Sequence, residues 1–389
     1  MSAFDLQAVI QERKSQGLYR RPRVLDGPTG PRATEGGRGL LVFCSNDYLG
    51  LASDPRIAHA MTKAASEGGT GSGGAHLVSG HRQEHEALEA ELSDFLGRER
   101  TLLFSTGYAA NLGVIDALLG RGDGCFQDRL NHASLLDGAR LSGARLIRYR
   151  HADVEDLASR LHGSEHRQRL VVTDGVFSMD GDTAPLRELA VCARDNGAWL
   201  MVDDAHGIGV TGPGAAGSVA AAGLGVDEVP VLVGTLGKAF GTFGAFVSGS
   251  AELVEYLVQC ARTYIYTTAP PPSLAAASRV ALRLVRQESW RRDRLQALIH
   301  RFRQGAEQLD LALMPSTTPI QPLVVGEADA AVAASEGLEA RGFLVTAIRP
   351  PTVPAGTARL RITLSAAHSD EQVDRLLDAL AQTPELSTP

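Results

Sequence analysis

Apolar and polar positions in the middle of the chain follow two different periods. Six short runs carry the branched and aromatic residues of buried strands: residues 101–105, 145–149, 170–173, 199–202, 231–234 and 245–248. Longer stretches, such as residues 86–96 and 186–196, place apolar side chains three and four positions apart, which predicts amphipathic helices. Strands that alternate with helices in this way predict an α/β fold with a mostly parallel sheet between two layers of helices.

The pattern changes after the three consecutive prolines at 270–272. Residues 273–309 keep helical spacing throughout, which predicts one long helix, and strand-like runs follow at 320–325, 344–348 and 359–364. In the last run apolar residues alternate with Arg359 and Arg361, which predicts a half-buried strand with both arginines on one face. We therefore expect an N-terminal arm (1–45), a large domain (46–275) and a smaller C-terminal α+β domain (276–389).

The composition predicts a folded globular protein. Hydrophobic residues make up 44% and charged residues 21% of the 389 positions, which excludes a disordered or fibrous chain. No apolar run approaches the roughly 18 residues of a membrane span, and the polar N-terminus lacks the apolar core of a signal peptide, so no membrane partner is expected. The net charge of −7 argues against a nucleic-acid partner. Four widely separated cysteines are typical of a cytoplasmic protein.

Lysine is unusually rare in this chain. Of the 38 basic residues only three are lysines, namely Lys14, Lys63 and Lys238. Lys238 lies between glycines in an apolar stretch with no acidic residue close in sequence, and desolvation there would lower its pKa and leave a reactive amine. The surrounding residues do not form a P-loop, and Lys14 and Lys63 lie in predicted exposed helices.

Two further predicted strands end next to residues that could bind a ligand. Gly107 and Tyr108 open a helix after the first strand, and free N–H groups at such a position suit a phosphate, although an ordinary capped helix has the same sequence. Asp203, Asp204 and His206 follow the strand at 199–202. Asp203 could bind a protonated ring nitrogen and His206 a ring hydroxyl, with Asp204 as a helix cap. A metal site is the alternative.

Two stretches match motifs of known binding sites but lack the surroundings that those sites require. The G-x-G-x-x-G pattern at 69–74 follows a helical stretch where a dinucleotide site requires a strand. The H-x-x-E-H pattern at 81–85 opens an acidic helix, which predicts solvent-exposed His81 and His85 and disfavours a zinc site.

A phosphate cup, an Asp/His pair for a ring and one desolvated lysine together point to a pyridoxal 5'-phosphate enzyme, with Lys238 as the Schiff-base residue. The chain resembles the α-oxoamine synthases among the fold-type I pyridoxal phosphate transferases. This resemblance extends over nearly the whole sequence and is carried by blocks at residues 44–50, 131–134, 174–181, 203–207, 235–241 and 349–354. Residues 75–77 differ from the serine–arginine pair of many relatives.

The resemblance implies roles for individual residues. Lys238 and His132 would be catalytic. The cofactor would be bound by residues that contact its carbonyl, ring and phosphate: Gly107, Tyr108, His132, Ser178, Asp203, His206, Thr235 and Lys238. Thr267 or Thr268 from the second subunit of a homodimer would complete the phosphate site. The substrates would be bound by Arg20, Asn46, His132, Arg349, Thr352 and Arg361, with Arg361 holding a carboxylate.

The implied reaction is a decarboxylative condensation of L-alanine with a pimeloyl thioester of CoA or a carrier protein, in biotin synthesis. Glycine-using siblings, 5-aminolevulinate synthase or 2-amino-3-ketobutyrate ligase, are the nearest alternative. A zinc hydrolase built on His81 and His85, or an inactive relative that acts as a binding protein, are the alternatives from other classes.

Overall fold

The computed structural model describes residues 5–16 and 18–386. Within these residues the α-helices are α1 Leu6–Ser15, α2 Pro55–Gly68, α3 Gln83–Leu96, α4 Gly107–Leu118, α5 Ala133–Ser142, α6 Val154–His162, α7 Leu186–Asp195, α8 Ser218–Ala221, α9 Ala251–Cys260, α10 Arg262–Ile265, α11 Pro272–Gln287, α12 Trp290–Gln308, α13 Ala328–Ala340 and α14 Asp370–Ala381. A π-helix spans His76–Gly80, and short 3-10 helices span Pro213–Ala215 and Pro384–Leu386. None of the described helices is long and apolar enough to cross a membrane.

The strands form one large sheet and two small ones. They are β1 Arg32–Glu35, β2 Arg38–Val42, β3 Arg100–Phe104, β4 Gly124–Asp128, β5 Arg145–Tyr149, β6 Arg169–Asp174, β7 Trp199–Asp203, β8 Val231–Thr235, β9 Ala245–Gly249, β10 Ile320–Gly326, β11 Phe343–Leu344, β12 Thr346–Ile348 and β13 Ala358–Thr363. The seven-stranded sheet has the order β3-β9-β8-β7-β6-β4-β5, and only β9 runs antiparallel to its neighbours.

This sheet has a hydrophobic core on each face. In β7, Leu200 and Val202 pack into one core, whereas Met201 between them packs into the other. A strand that is buried on both faces has a continuous apolar sequence, which is why these runs could be recognised. The α/β fold with a mostly parallel central sheet is confirmed, and so are the six predicted strands, each within one residue at either end.

Strand β4 was not predicted. It lies between β5 and β6, and its polar residues Gln127 and Asp128 interrupt the apolar pattern although both are buried. The Gln127 amide donates to the carbonyl of Leu135 at 2.7 Å, so its burial is compensated by a hydrogen bond. The period of apolar residues cannot reveal such a strand, because the hydrogen bonds that compensate its polar residues form only in the folded chain.

The single long helix predicted for residues 273–309 is two helices, α11 and α12. The chain leaves the helical conformation at Glu288, which has φ −102° and ψ 62°. Its carboxylate is bound by Arg56 at 2.6 Å and by Arg291 at 2.8 Å. These ion pairs stabilise a break that the spacing of apolar residues does not reveal.

Two predictions for the C-terminal strands were also wrong. The run at 344–348 is divided between β11, which pairs in parallel with β2, and β12, which pairs with β13. Strand β13 is buried along its whole length rather than half-buried, and Arg359 and Arg361 are 4% and 7% exposed. Its arginines face other parts of the protein, so their burial is compensated by partners. The division into an arm and two domains remains a prediction.

Candidate active site

The carboxyl ends of the parallel strands bring several polar residues to one edge of the large sheet. Asp174 ends β6, Asp203 ends β7 and Thr235 ends β8. Open α/β sheets bind their ligands at this edge. Asp174 and Asp203 are both buried, and burial raises the pKa of Asp174 well above its ordinary value, with the nearby charge of Asp203 adding to the effect.

Lys238 is positioned by a tight loop between β8 and β9. The backbone N–H of Gly241 donates to the Lys238 carbonyl at 2.9 Å, and the Thr242 N–H donates to the Leu236 carbonyl at 2.9 Å. Gly241 has a φ of +65°, and a side chain there would collide with the backbone of Ala52. Glycine is therefore required at this position on both conformational and steric grounds.

A continuous series of hydrogen bonds joins Lys238 to Arg361. The Lys238 amine lies 2.8 Å from Nε2 of His206, and Nδ1 of His206 lies 2.7 Å from the Tyr48 hydroxyl. The Tyr48 hydroxyl lies 3.2 Å from the side-chain oxygen of Asn46, and that oxygen also accepts a hydrogen bond from Nη2 of Arg361 at 3.3 Å.

Only one arrangement of protons satisfies all four contacts. Arg361 can only donate, so the atom of Asn46 that it meets is the oxygen, and the Tyr48 hydroxyl must donate to that oxygen as well. The hydroxyl then accepts from Nδ1–H of His206, which leaves a lone pair on Nε2 facing the Lys238 amine. His206 thus orients the amine by accepting one of its protons.

The pKa values around this contact favour neutral groups. The pKa of Lys238 is lowered to about 8, chiefly by burial and also by the charge of Arg361, although Asp203 and Asp174 act in the opposite direction. Burial also holds the pKa of His206 well below its ordinary value, with contributions from Lys238 and Arg361. A nucleophilic or basic lysine needs this neutral state.

Asp203 is fixed on the other side of the site by its neighbours. Its Oδ2 accepts from the Asn111 amide at 2.6 Å and its Oδ1 from the backbone N–H of Ala205 at 3.1 Å. The same Asn111 amide donates to the Ser134 hydroxyl at 2.9 Å, which lies 2.7 Å from Nδ1 of His132. These contacts connect the predicted residues Asp203 and His132, and the His132 ring lies at the exposed side of the site.

The predicted phosphate residues lie at the start of α4 and at the end of β8. Thr106 caps α4 by accepting from the Ala109 N–H at 3.1 Å, and Gly107 and Tyr108 form its first turn. The Tyr108 hydroxyl donates to Asp137, and the Tyr108 ring meets the His132 ring edge to face at 6.4 Å. The Thr235 hydroxyl accepts from the Gly237 N–H at 3.2 Å.

Arg361 is held in place by the loop that follows β6. Its Nε donates to the Ser178 carbonyl at 2.6 Å, so the backbone of Ser178 and the side chain of Asn46 orient the guanidinium. On the same strand, Arg359 forms a buried ion pair with Asp180. The loop and β13 are therefore joined by two arginines, and donors of Arg361 remain for a carboxylate.

Within the described residues, no hydrogen bond joins Arg20, Thr267, Thr268 or Thr352 to this cluster. Arg20 and Thr352 are exposed, and Thr352 donates its backbone N–H to the Arg349 carbonyl at 3.1 Å. Thr268 pairs with Ala75 through an isolated bridge, and Thr267 precedes it.

Sequence reasoning missed four residues of the site: Tyr48, Asn111, Ser134 and Asp174. Tyr48, Ser134 and Asp174 lie inside blocks that carried the resemblance, so their positions were available as a signal. Asn111 lies on helix α4 and contacts Asp203 only through the fold. Asp204 accepts from the Ser218 N–H at 2.6 Å, in keeping with a cap, and burial raises its pKa to about 7.

The prediction that His81 and His85 are solvent-exposed was wrong for His85, which is 0% exposed. Its Nδ1 accepts from the Arg82 N–H at 3.0 Å and closes the first turn of α3. Glu84, the general base that a zinc hydrolase would need, pairs with Arg279 at 2.7 Å. The hydrolase alternative therefore lacks its base.

The residues present fit pyridoxal 5'-phosphate. Asp203 is a buried carboxylate for the ring nitrogen, Lys238 is a desolvated amine for the carbonyl, and the first turn of α4 offers backbone N–H groups for the phosphate. The buried side-chain oxygen of Asn111, beside Asp203, has no hydrogen-bond partner within the described residues, which also indicates a polar ligand at this place.

Comparison with known proteins identifies the family of the chain. The family described as aminotransferase class I and II matches residues 38–380. The 8-amino-7-oxononanoate synthase of Alkalilimnicola ehrlichii is 65% identical over 389 residues, covering 98% of this chain and 99% of that protein.

Two solved structures extend the likeness to the fold. The serine palmitoyltransferase of S. paucimobilis, solved with bound PLP, superposes with a TM-score of 0.92 at 32% identity and covers 98% of this chain and 97% of that one. The 8-amino-7-oxononanoate synthase of Francisella tularensis has a TM-score of 0.78 at 31% identity and covers 88% and 97%. The chain belongs to the class I and II aminotransferase family, within its pyridoxal phosphate-dependent α-oxoamine synthase branch.

Proposed function

We propose that the protein catalyses the decarboxylative condensation of L-alanine with a pimeloyl thioester, which yields 8-amino-7-oxononanoate, CO2 and the free thiol in biotin biosynthesis. The observation that carries the proposal is the hydrogen-bonded series from the Lys238 amine through His206, Tyr48 and Asn46 to Arg361. It joins an amine that can move a proton to a guanidinium that can hold an amino-acid carboxylate. Relatives with 58–65% identity bear the name of this activity.

Pyridoxal phosphate, when bound, supplies an electron-withdrawing ring that stabilises negative charge on the Cα of alanine. Lys238 first holds the cofactor and then takes the proton from Cα. With a pKa of about 8, roughly a tenth of such amines is neutral at pH 7, against about one in three thousand at the ordinary value of 10.5. His206 accepts an N–H of this amine and so fixes the direction of its lone pair.

Asp203 and His132 control the ring itself. The Asp203 carboxylate keeps the ring nitrogen protonated, and Asn111 and the Ala205 N–H hold it in position for this. His132 would cover one face of the ring and keep water from the reacting carbon. His206 and Ser178 would contact the oxygen on the ring, and Gly107, Tyr108 and Thr235 would bind the phosphate.

The substrates occupy the space between the cofactor and β13. Arg361 binds the carboxylate of alanine, and its contacts with the Ser178 carbonyl and Asn46 set the plane of the guanidinium. Arg349 assists with a second carboxylate contact, and Arg20, Asn46 and Thr352 line the pocket for the acyl chain. The new carbon–carbon bond joins Cα to the thioester carbonyl and the thiol leaves. The alanine carboxylate then departs as CO2, and a proton returns to Cα.

The active protein is a homodimer in which Thr267 or Thr268 completes the phosphate site of the other subunit. Large apolar side chains beside this segment are exposed in the single chain, namely Val78 (83%), Tyr266 (71%) and Leu77 (52%). Ala75 pairs with Thr268, so these side chains and the threonines lie on neighbouring segments. A second copy would bury this surface. The cytoplasmic location stays a prediction.

The reaction is tested by incubating the purified, cofactor-loaded protein with pimeloyl-CoA, or with a pimeloyl carrier protein, and with L-alanine, glycine or L-serine in turn. We expect 8-amino-7-oxononanoate by mass spectrometry with L-alanine, and none from Lys238→Ala. Product from glycine alone would assign the protein to the glycine-using siblings and refute the proposal.

The shared site is tested by mixing two inactive variants. Lys238→Ala lacks the amine, and the double variant Thr267→Val/Thr268→Val lacks both hydroxyls. Refolded together they form mixed dimers in which one site has its own Lys238 and the partner's threonines, so activity should return. If the mixture stays as inactive as its parts while a wild-type control refolds to full activity, the threonines do not act across a subunit boundary.

A further inference from the structure

We infer that His76, His81 and His85 form a binding site for one divalent transition-metal ion with the preferences of zinc. The three imidazole rings form a nearly equilateral triangle, with centroid separations of 5.1 Å between His76 and His81, 5.2 Å between His76 and His85, and 5.4 Å between His81 and His85. One ring nitrogen from each lies within 4.8 Å of the other two. Neutral imidazole is a common zinc ligand.

The outer hydrogen bonds of two rings leave the lone pair of each ring on Nδ1. Nε2 of His85 lies 2.8 Å from the Pro270 carbonyl, which can only accept, so Nε2 carries the proton and Nδ1 the lone pair. Nε2 of His81 lies 3.2 Å from a carboxylate oxygen of Glu86, and the same reasoning applies. Metal-bound histidines have this pattern of a carbonyl or carboxylate on the distant nitrogen.

His76 supplies the third nitrogen. Its Nδ1 lies 2.8 Å from Nδ1 of His81, and without a metal it donates to that lone pair. Its Nε2 is buried and has no hydrogen-bond partner within the described residues. At this ring, binding of an ion requires that the proton of His76 move from Nδ1 to Nε2, so no proton is lost or gained.

Binding at His85 replaces a hydrogen bond within the chain. Nδ1 of His85 must release the backbone N–H of Arg82, which it holds at 3.0 Å in the first turn of α3, and the Arg82 residue is exposed. The His81 side chain is 27% exposed, which leaves access for the ion and for a water molecule as fourth ligand.

The site would join three segments that lie beside one another in the fold. His76 opens the π-helix, His85 lies in the first turn of α3, and Pro270 follows the segment that carries Thr267 and Thr268. The His76 ring also stacks on the Tyr264 ring, with their centroids 4.8 Å apart. The ion would therefore stabilise this region of the fold. The inference does not depend on the proposed reaction.

The test is equilibrium dialysis of the holoenzyme, previously treated with a chelator, against micromolar zinc, followed by metal analysis. We expect one zinc ion per chain and a higher melting temperature with zinc. His81→Gln should abolish both effects, whereas His59→Gln, which changes an exposed histidine on α2, should leave them unchanged.

X-ray absorption of the zinc-loaded protein gives a second readout that does not depend on a variant. It should show nitrogen and oxygen ligands with the outer-shell scattering of imidazole. Absence of stoichiometric zinc in the wild-type protein, equal binding by His81→Gln, or sulfur ligands from a cysteine would each overturn the inference.

Discussion

The ε-amine of Lys238 lies 2.8 Å from Nε2 of His206, and the proton arrangement around His206 makes that nitrogen an acceptor. Because the imidazole of His206 is neutral, it fixes the orientation of the amine without placing a positive charge beside it. This relationship distinguishes Lys238 from Lys14 and Lys63, which are both exposed on helices.

The first prediction concerns the protonation of Lys238 in the cofactor-free protein. Because burial lowers its pKa to about 8, its reactivity toward a trace amount of an amine reagent should rise with pH and reach half its maximum near pH 8. Mass spectrometry of the labelled peptides between about pH 6 and pH 11 measures this, with Lys14 and Lys63 as references in the same sample. Asp203→Asn should move the midpoint down, since the charge of Asp203 raises this pKa. A midpoint near 10.5 would contradict the assignment of a desolvated amine.

The second prediction concerns the hydroxyl of Tyr48. Tyr48→Phe leaves the Nδ1–H of His206 without an acceptor in a buried position, which costs about 1–3 kcal/mol. We expect a loss of stability of this size in urea unfolding and a fall in kcat/KM of about tenfold or more.

A matched control for this variant is Tyr149→Phe. The Tyr149 ring is also 0% exposed, but its hydroxyl has no hydrogen-bond partner among the described residues. Its removal should therefore change stability and activity little. Equal effects of the two substitutions would mean that loss of a buried hydroxyl, and not the contact with His206, explains the result.

The third prediction concerns the recognition of the substrate carboxylate. Arg361→Lys keeps the charge but loses the planar fork of donors, so the KM for L-alanine should rise about tenfold or more while the cofactor content stays at the wild-type level. Steady-state kinetics with alanine varied at saturating thioester provide the measurement. Arg349→Lys should have the smaller effect. If the order of the two effects is reversed, Arg349 is the principal carboxylate ligand.

The fourth prediction concerns the pH dependence of stability at His151. Burial alone would lower the pKa of this ring, but hydrogen bonds at 3.0 Å to Asp128 and 2.8 Å to Asp182 outweigh it and raise the pKa to about 10. A raised folded-state pKa stabilises the protein fully below the unfolded-state value of about 6.5, and the gain is lost as pH rises toward 10.

His151→Gln should therefore be least stable relative to wild type below about pH 6.5, and the difference should shrink by up to about 1.4 kcal/mol per pH unit above it. Urea unfolding of the wild-type protein and of His151→Gln at pH values below and above about 6.5 measures this difference in stability. A difference that does not vary with pH would show that His151 contributes through packing against Phe177 and not through charge.

Much of the fold could be predicted because its strands are buried on both faces and are therefore apolar throughout. Strand β4 could not be predicted, since Gln127 is compensated by the Leu135 carbonyl, a contact that exists only in the folded chain. The break between α11 and α12 was missed for the same reason, because Arg56 holds Glu288 from a distant helix.

In the candidate site, too, some residues could be predicted from the sequence and others could not. Lys238, Asp203 and His206 could be predicted, since each lies at the end of a strand of the large sheet or within three residues of it and has a side chain that is costly to bury without a partner. The contacts of Tyr48 with His206 and of Asn111 with Asp203 could not, because each joins residues that are far apart in the sequence. The burial of Arg361 was also missed, since alternation alone cannot tell a solvent-facing arginine from one that faces another part of the protein.

The hydrogen bond between Arg361 and Asn46 joins residues that are 315 positions apart. During synthesis, all seven strands of the large sheet leave the ribosome well before β13 does. The guanidinium that receives the substrate is thus among the last groups to be translated. Nascent or C-terminally truncated chains that already carry the lysine and the cofactor pocket lack the carboxylate contact, so they cannot begin turnover on alanine before the polypeptide is nearly complete.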